Sequence, residues 1–216
     1  MAQELGKINK PEADSFKEGR RLLLVPLIYL YKDAPSEYTE KYELYWKQVA
    51  EHIVNLETKM GTVSRVYHES ISLGGNDGLK IMEELNQKSC QIAKQKCQDG
   101  ANLEVIEDKE LAEETVDWER CLFIGFLSDK VARKVSELYI EASRKRYEHI
   151  TKRIDETLKA NEIAILFIRE GHLVQFPEDI EVFSVSPPTL DEIRRWLRDR
   201  ASAKEKEPED DSQSET

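Results

Sequence analysis

Three cysteines in 216 residues leave no basis for a disulfide framework. Cys90 and Cys97 stand on an expected helix, about 10 Å apart along its axis, beyond the roughly 7 Å that a disulfide spans between α-carbons. Cys121 stands alone and no CxxC occurs, so the thiols read as small buried hydrophobes. Long apolar runs are missing as well. The most hydrophobic stretch, Leu22 to Tyr31, falls well short of the about 20 residues that cross a bilayer. Arg20 and Arg21 before it imitate a signal peptide, yet Lys32-Asp33-Ala34-Pro35 follows where small residues would mark cleavage. A buried strand in a cytoplasmic protein is the expectation. Positive charge is also in deficit, with a formal net charge of −11. That balance disfavours a general nucleic-acid binder and an anionic membrane surface, so no membrane partner is expected.

Catalytic and nucleotide fingerprints are absent too. Neither GxGxxG nor a phosphate loop ending in Lys-Ser/Thr occurs, and there is no HExxH or GxSxG. Gly74, Gly75 and Gly78 lie between a strand and a helix, but Asp77 would repel phosphate there, so they read as a turn with Asp77 as its cap.

What is present is α/β patterning. Polar residues 1–19 read as a loose arm and residues 203–216 as an acidic tail, leaving 20–202 as one domain. The expected order opens with a strand at Leu22–Tyr31, bulged or near an edge at Pro26. A helix over 37–59 follows, its stripe running Tyr38, Tyr42, Tyr45, Val49, Ile53, Leu56 and Met60 and ending at Gly61. A strand over 62–71 completes a βαβ unit. One helix is expected over 78–98. The segment from Leu103 to Leu127 reads as helix, with Cys121–Leu127 as a competing short strand. A long helix then reaches Lys159 and delivers the chain into a strand at Glu162–Ile168. Gly171 suggests an antiparallel hairpin, and Pro187-Pro188 opens a last amphipathic helix. The fold class expected is a helix-rich α/β domain with a small mixed sheet and a C-terminal β-hairpin.

Ligands of open α/β sheets collect beyond the carboxyl ends of the strands. Three such ends carry polar groups: Lys32 and Asp33, His68 and Glu69, and Arg169, Glu170 and His172. Glu69, Glu170 and His172 are the candidate catalytic residues, and His68 joins them as candidate ligands for a divalent metal; no cofactor is predicted, a divalent metal being the one this pattern would admit. Glu170 and His172 belong to a tight turn, however, where polar residues are expected without function, and that is the favoured reading. His52 and His149 fall on helix surfaces. A second candidate is a basic face, Arg144, Lys145, Arg146, Lys152 and Arg153, in a stretch (128–160) with nine Lys/Arg against six Asp/Glu. It could contact RNA, or be a solvated face of pairs such as Glu141 with Lys145. Tyr38, Tyr42, Tyr45 and Trp46 form an aromatic face suited to a core or to a homodimer.

Two resemblances accompany these readings. Arg169-Glu170-Gly171-His172, Val174-Gln175-Phe176-Pro177, Asp179-Ile180 and Pro187-Pro188 to Arg198 resemble a signature of bacterial proteins that carry no assigned activity. Asp155 to Ala160 running into Ile163–Ile168 is similar to a helix–strand step in the C-terminal domain of archaeo-eukaryotic peptide-release-factor proteins. Gly74-Gly75-Asn76 echoes their Gly-Gly-Gln loop, but Asn76 replaces the required Gln, so peptidyl-tRNA hydrolysis is not implied. The residues thus favour a binding or regulatory module without catalysis. An RNA- or ribosome-associated protein and a metal-dependent hydrolase are the alternatives.

Overall fold

The computed structural model describes residues 19–204. The expected arm and acidic tail lie almost wholly outside them. The described chain runs β1 (Arg20–Pro26), α1 (Ser36–Met60), β2 (Arg65–His68), α2 (Gly75–Leu85), α3 (Gln87–Gln98), β3 (Asn102–Leu103), α4 (Lys109–Ile124), α5 (Asp129–Thr157), β4 (Ile163–Ile168), β5 (Ile180–Ser184) and α6 (Pro188–Lys204). The α/β class holds. No described helix is long and apolar enough to cross a membrane.

The five strands form one sheet in the order β3-β2-β4-β1-β5, and every pairing is parallel. The expected mixed sheet and hairpin are therefore corrected. All six residues of β4 are buried, as a continuous apolar run is when it fills the centre of a parallel sheet. Its two edges are occupied by β1 and β2, so β5 cannot fold back onto it. β5 instead pairs with the far edge of β1, Leu22 aligning with Val182 and Leu24 with Ser184. β1 is thus an interior strand. It tolerates Pro26 because the proline is its last residue, and 27–31 continues as loop rather than strand.

Two cores flank the sheet. On one face Leu23, Val25, Val66, Ile165 and Phe167 pack with the aromatic stripe of α1, with α3 and with α6. On the other, Leu22, Tyr67, Ala164 and Leu166 meet Tyr147, Ile150 and Ile154 of α5. The segment between β4 and β5 adds Val174 and Phe176 to that second core. The single helix expected over 78–98 is two. Asn86 ends α2 and caps α3, its side chain accepting from Lys88 N (3.2 Å) and Ser89 N (3.1 Å) while its Nδ2 donates to the Ile28 carbonyl (2.8 Å). α2 itself starts at Gly75, so Asp77 lies inside its first turn rather than at its cap. Cys121–Ile124 is the end of α4, whose start is capped by Asp108.

Candidate functional site at the carboxyl rim of the sheet

Because the strands are parallel, their carboxyl ends share one rim. Glu69 leaves β2 there, Arg169 leaves β4, and Glu107 follows β3. The Glu69 carboxylate accepts the backbone N–H of Arg169 at 2.7 Å and its Nε at 3.4 Å, and lies 4.0 Å from Arg146 Nη2. Arg146 comes from α5 and bonds both carboxylate oxygens of Glu107 through Nε, at 3.2 and 3.0 Å, with Nη2 also on Glu107. Glu107 in turn accepts the N–H of Ser70 at 2.9 Å, holding that residue in the left-handed region at φ 67°. Arg169 extends the chain of charges to Glu119 on α4 at 3.1 Å. Glu69, Glu107 and Arg146 are buried. Burial pushes the Glu69 carboxyl above its ordinary range, against the opposing charges of Arg169 and Arg146. Burial works to lower Arg146, but the bond to Glu107 and the charges of Glu107 and Glu69 outweigh it and hold the guanidinium above its usual value.

Beside this chain, the loop after β2 and the face of α4 border an open cavity of about 530 Å³, lined by Ser70, Ser72, Lys109, Glu113, Asp117, Arg120 and Arg146 among others. Its charges are paired: Arg120 with Asp117 at 3.1 Å and Lys109 with Glu113 at 3.7 Å.

The expected site residues are brought together only in part. Glu69 and Arg169 meet. His68 points to the opposite face of the sheet, where it bonds Ser89 Oγ (3.2 Å) and the Glu69 carbonyl and lies tilted against the Phe167 ring at 5.8 Å. Burial lowers its pKa to about 4. Glu170 pairs with Arg194 of α6, and the His172 ring lies 6.1 Å from Phe176. Lys32 and Asp33 form an exposed turn leading to α1. Among the described residues no group of three His, Cys, Asp or Glu side chains is placed to hold a metal ion. Of the four expected ligands, His68 lies on the face opposite Glu69, and Glu170 is engaged by Arg194.

The basic face is likewise redistributed. Arg146 is 1% exposed and belongs to the rim. Arg144 pairs with Glu148 (3.1 Å), Lys145 with Glu141 (2.8 Å), and Arg153 and Lys152 both with Glu156 (2.8 and 3.9 Å). The aromatic face suggested for a dimer is interior. Tyr38, Tyr42, Tyr45 and Trp46 are buried against the sheet, with Tyr45 donating to the Pro26 carbonyl. Glu107, Glu119 and Ser70 were not singled out by motif or spacing. A carboxylate following so short a strand as β3 carries no periodic signal. No family model, curated protein or solved structure matches the chain.

Proposed function

We propose that this protein is a binding or regulatory module that works without catalysis, with its ligand seated in the rim cavity between the loop after β2 and α4. One observation supports the reading most directly. The buried ionisable side chains of the rim hold one another, Glu69 with Arg169 and Arg146 with Glu107, and so do not stand free to exchange protons with a substrate. What the cavity offers a ligand is the hydroxyls of Ser70 and Ser72 and the paired charges around them, which suits a small polar molecule. A cytoplasmic setting fits the three unpaired cysteines.

The test is thermal denaturation of the full chain against a set of small polar compounds, followed by calorimetry on any that raise the transition. Ser72→Leu, which fills the cavity without touching the ion pairs, is expected to abolish the shift. A shift that survives Ser72→Leu, or no shift with any compound, counts against the cavity. Turnover of any ester or phosphoester that is lost in Glu69→Gln would replace the non-catalytic reading. Salt-sensitive RNA binding lost on charge reversal at Arg144 and Lys145 would move the function to α5.

A further inference from the structure

α4 and the first half of α5 form a helical hairpin, and the apolar run Cys121–Leu127 spans the last turn of α4 and the start of the connection to α5. Phe123, Ile124 and Leu127 stand 84%, 79% and 110% exposed at this tip. Contiguous apolar side chains left open in this way mark a contact surface. Further along the same helix, α5 and segment 173–177 border a groove of about 960 Å³ whose apolar wall is Ile140, Tyr147, Leu173, Val174 and Phe176. Ile140 and Leu173 are themselves largely exposed.

We propose that the occupant of the groove is the hairpin tip of a second copy of this chain. Knob and groove lie on one helix, and the rise from Asp129 to Ile140 is about 17 Å at roughly 1.5 Å per residue. When two α5 helices lie antiparallel, the knob of each reaches the groove of the other, and a single two-fold axis closes both contacts. The charges agree with that pairing. Lys130, Lys134, Glu137 and Glu141 are exposed at i, i+4, i+7 and i+11, hence on one face of α5. In the antiparallel register that sets Leu127 level with Arg144, Lys130 faces Glu141 of the second copy and Lys134 faces its Glu137. Within one copy Lys134 already pairs with Glu137 (3.2 Å) and Glu141 with Lys145 (2.8 Å), so the second copy shares these pairs rather than completing free charges. Two cations followed by two carboxylates remain self-complementary in the antiparallel direction and repel when parallel. The aromatic face of α1 plays no part, and the dimer does not rest on the rim cavity.

Sedimentation equilibrium of the full chain is the test. The unaltered protein is expected to show a reversible monomer–dimer equilibrium. Phe123→Asp with Leu127→Asp at the knob, or Leu173→Asp in the groove, is expected to weaken association by more than about tenfold. These positions are exposed in one copy, so each variant keeps its circular dichroism and melting transition. A labelled knob variant mixed with a groove variant associates more tightly than either alone, because that pair retains one intact contact. A protein that stays monomeric at every concentration overturns the proposal, as does a dimer indifferent to both substitutions. A monomer that floats with phosphatidylcholine vesicles and loses that property in the knob variant also overturns it, assigning the tip to a lipid surface.

Discussion

Arg169 binds the carboxylate of Glu69 twice, through its backbone N–H at 2.7 Å and through Nε at 3.4 Å. The contact locks the ends of the neighbouring strands β2 and β4, and the Arg146–Glu107 pair fastens α5 to the chain after β3 in the same way. The rim is thus a chain of desolvated ions, costly to assemble and more costly to interrupt.

Removing one ion should show this. Arg146→Met leaves Glu107 buried and uncompensated, with an expected loss of about 3–5 kcal/mol in urea unfolding at neutral pH. Adding Glu107→Gln should recover more than half of that loss, since a neutral amide still accepts the Ser70 N–H. A double variant as unstable as the single one would show that the buried charge is not the cause.

His68 predicts an acid-side loss of stability. Its folded pKa of about 4 lies below its ordinary value of 6.5, because burial disfavours the imidazolium. As pH falls the unfolded chain binds the proton first. The stability is therefore complete above about pH 6.5 and is lost down to about pH 4, by roughly 3 kcal/mol in all. Glu69 acts with the opposite sign, its contribution fading as pH rises through its raised pKa. His68→Gln should flatten the acid limb of a stability–pH curve, and an unchanged limb would assign the effect elsewhere.

The layers of this fold were legible where a single periodicity decides them. The stripe of α1 and the unbroken apolar run of β4 each announce their element, and α5 is marked by Ile150 and Ile154. Position in the sheet was not legible. Gly171 after β4 carries the turn signal of a hairpin, and nothing local reveals that both edges of β4 are already taken. The two-residue β3 is too short for any pattern, so Glu107 behind it stayed unseen. Asn86 splits α2 from α3 by a bond to Ile28, 58 residues away in sequence, which no window around the helix contains. Of the site, Glu69 and Arg169 were found because strand ends attract polar groups, while their partners on α4 and α5 came together only through folding.

Arg20 joins three elements from one side chain. It bonds both carboxylate oxygens of Asp179 (2.7 and 2.6 Å), the Asp155 carboxylate (2.7 Å) and the Asp155 carbonyl (2.9 Å) near the end of α5. Lysine supplies a point charge and cannot reproduce that fork. Arg20→Lys should therefore destabilise nearly as much as Arg20→Met, each by about 1 kcal/mol or less, since both carboxylates are exposed and screened. Stability restored by lysine would show that charge alone matters.

Gly78 reverses the usual rule for glycine in a helix. Alanine in a helix interior is ordinarily favoured over glycine by about 1 kcal/mol. In α2, however, a Cβ at position 78 would lie 2.1 Å from the Leu73 carbonyl oxygen and 3.0 Å from Leu103 Cδ2. The first is backbone and cannot rotate aside, so α2 must shift away from the turn that precedes it and from β3. Gly78→Ala is expected to destabilise by about 2 kcal/mol or more, as overpacking does. Gly74→Ala is the matched control. Its Cβ would meet nothing closer than 3.5 Å at an ordinary φ of −93°, so its effect should stay within about 1 kcal/mol. Equal melting temperatures for the two variants would mean that α2 is not held against Leu73 and Leu103 in this way.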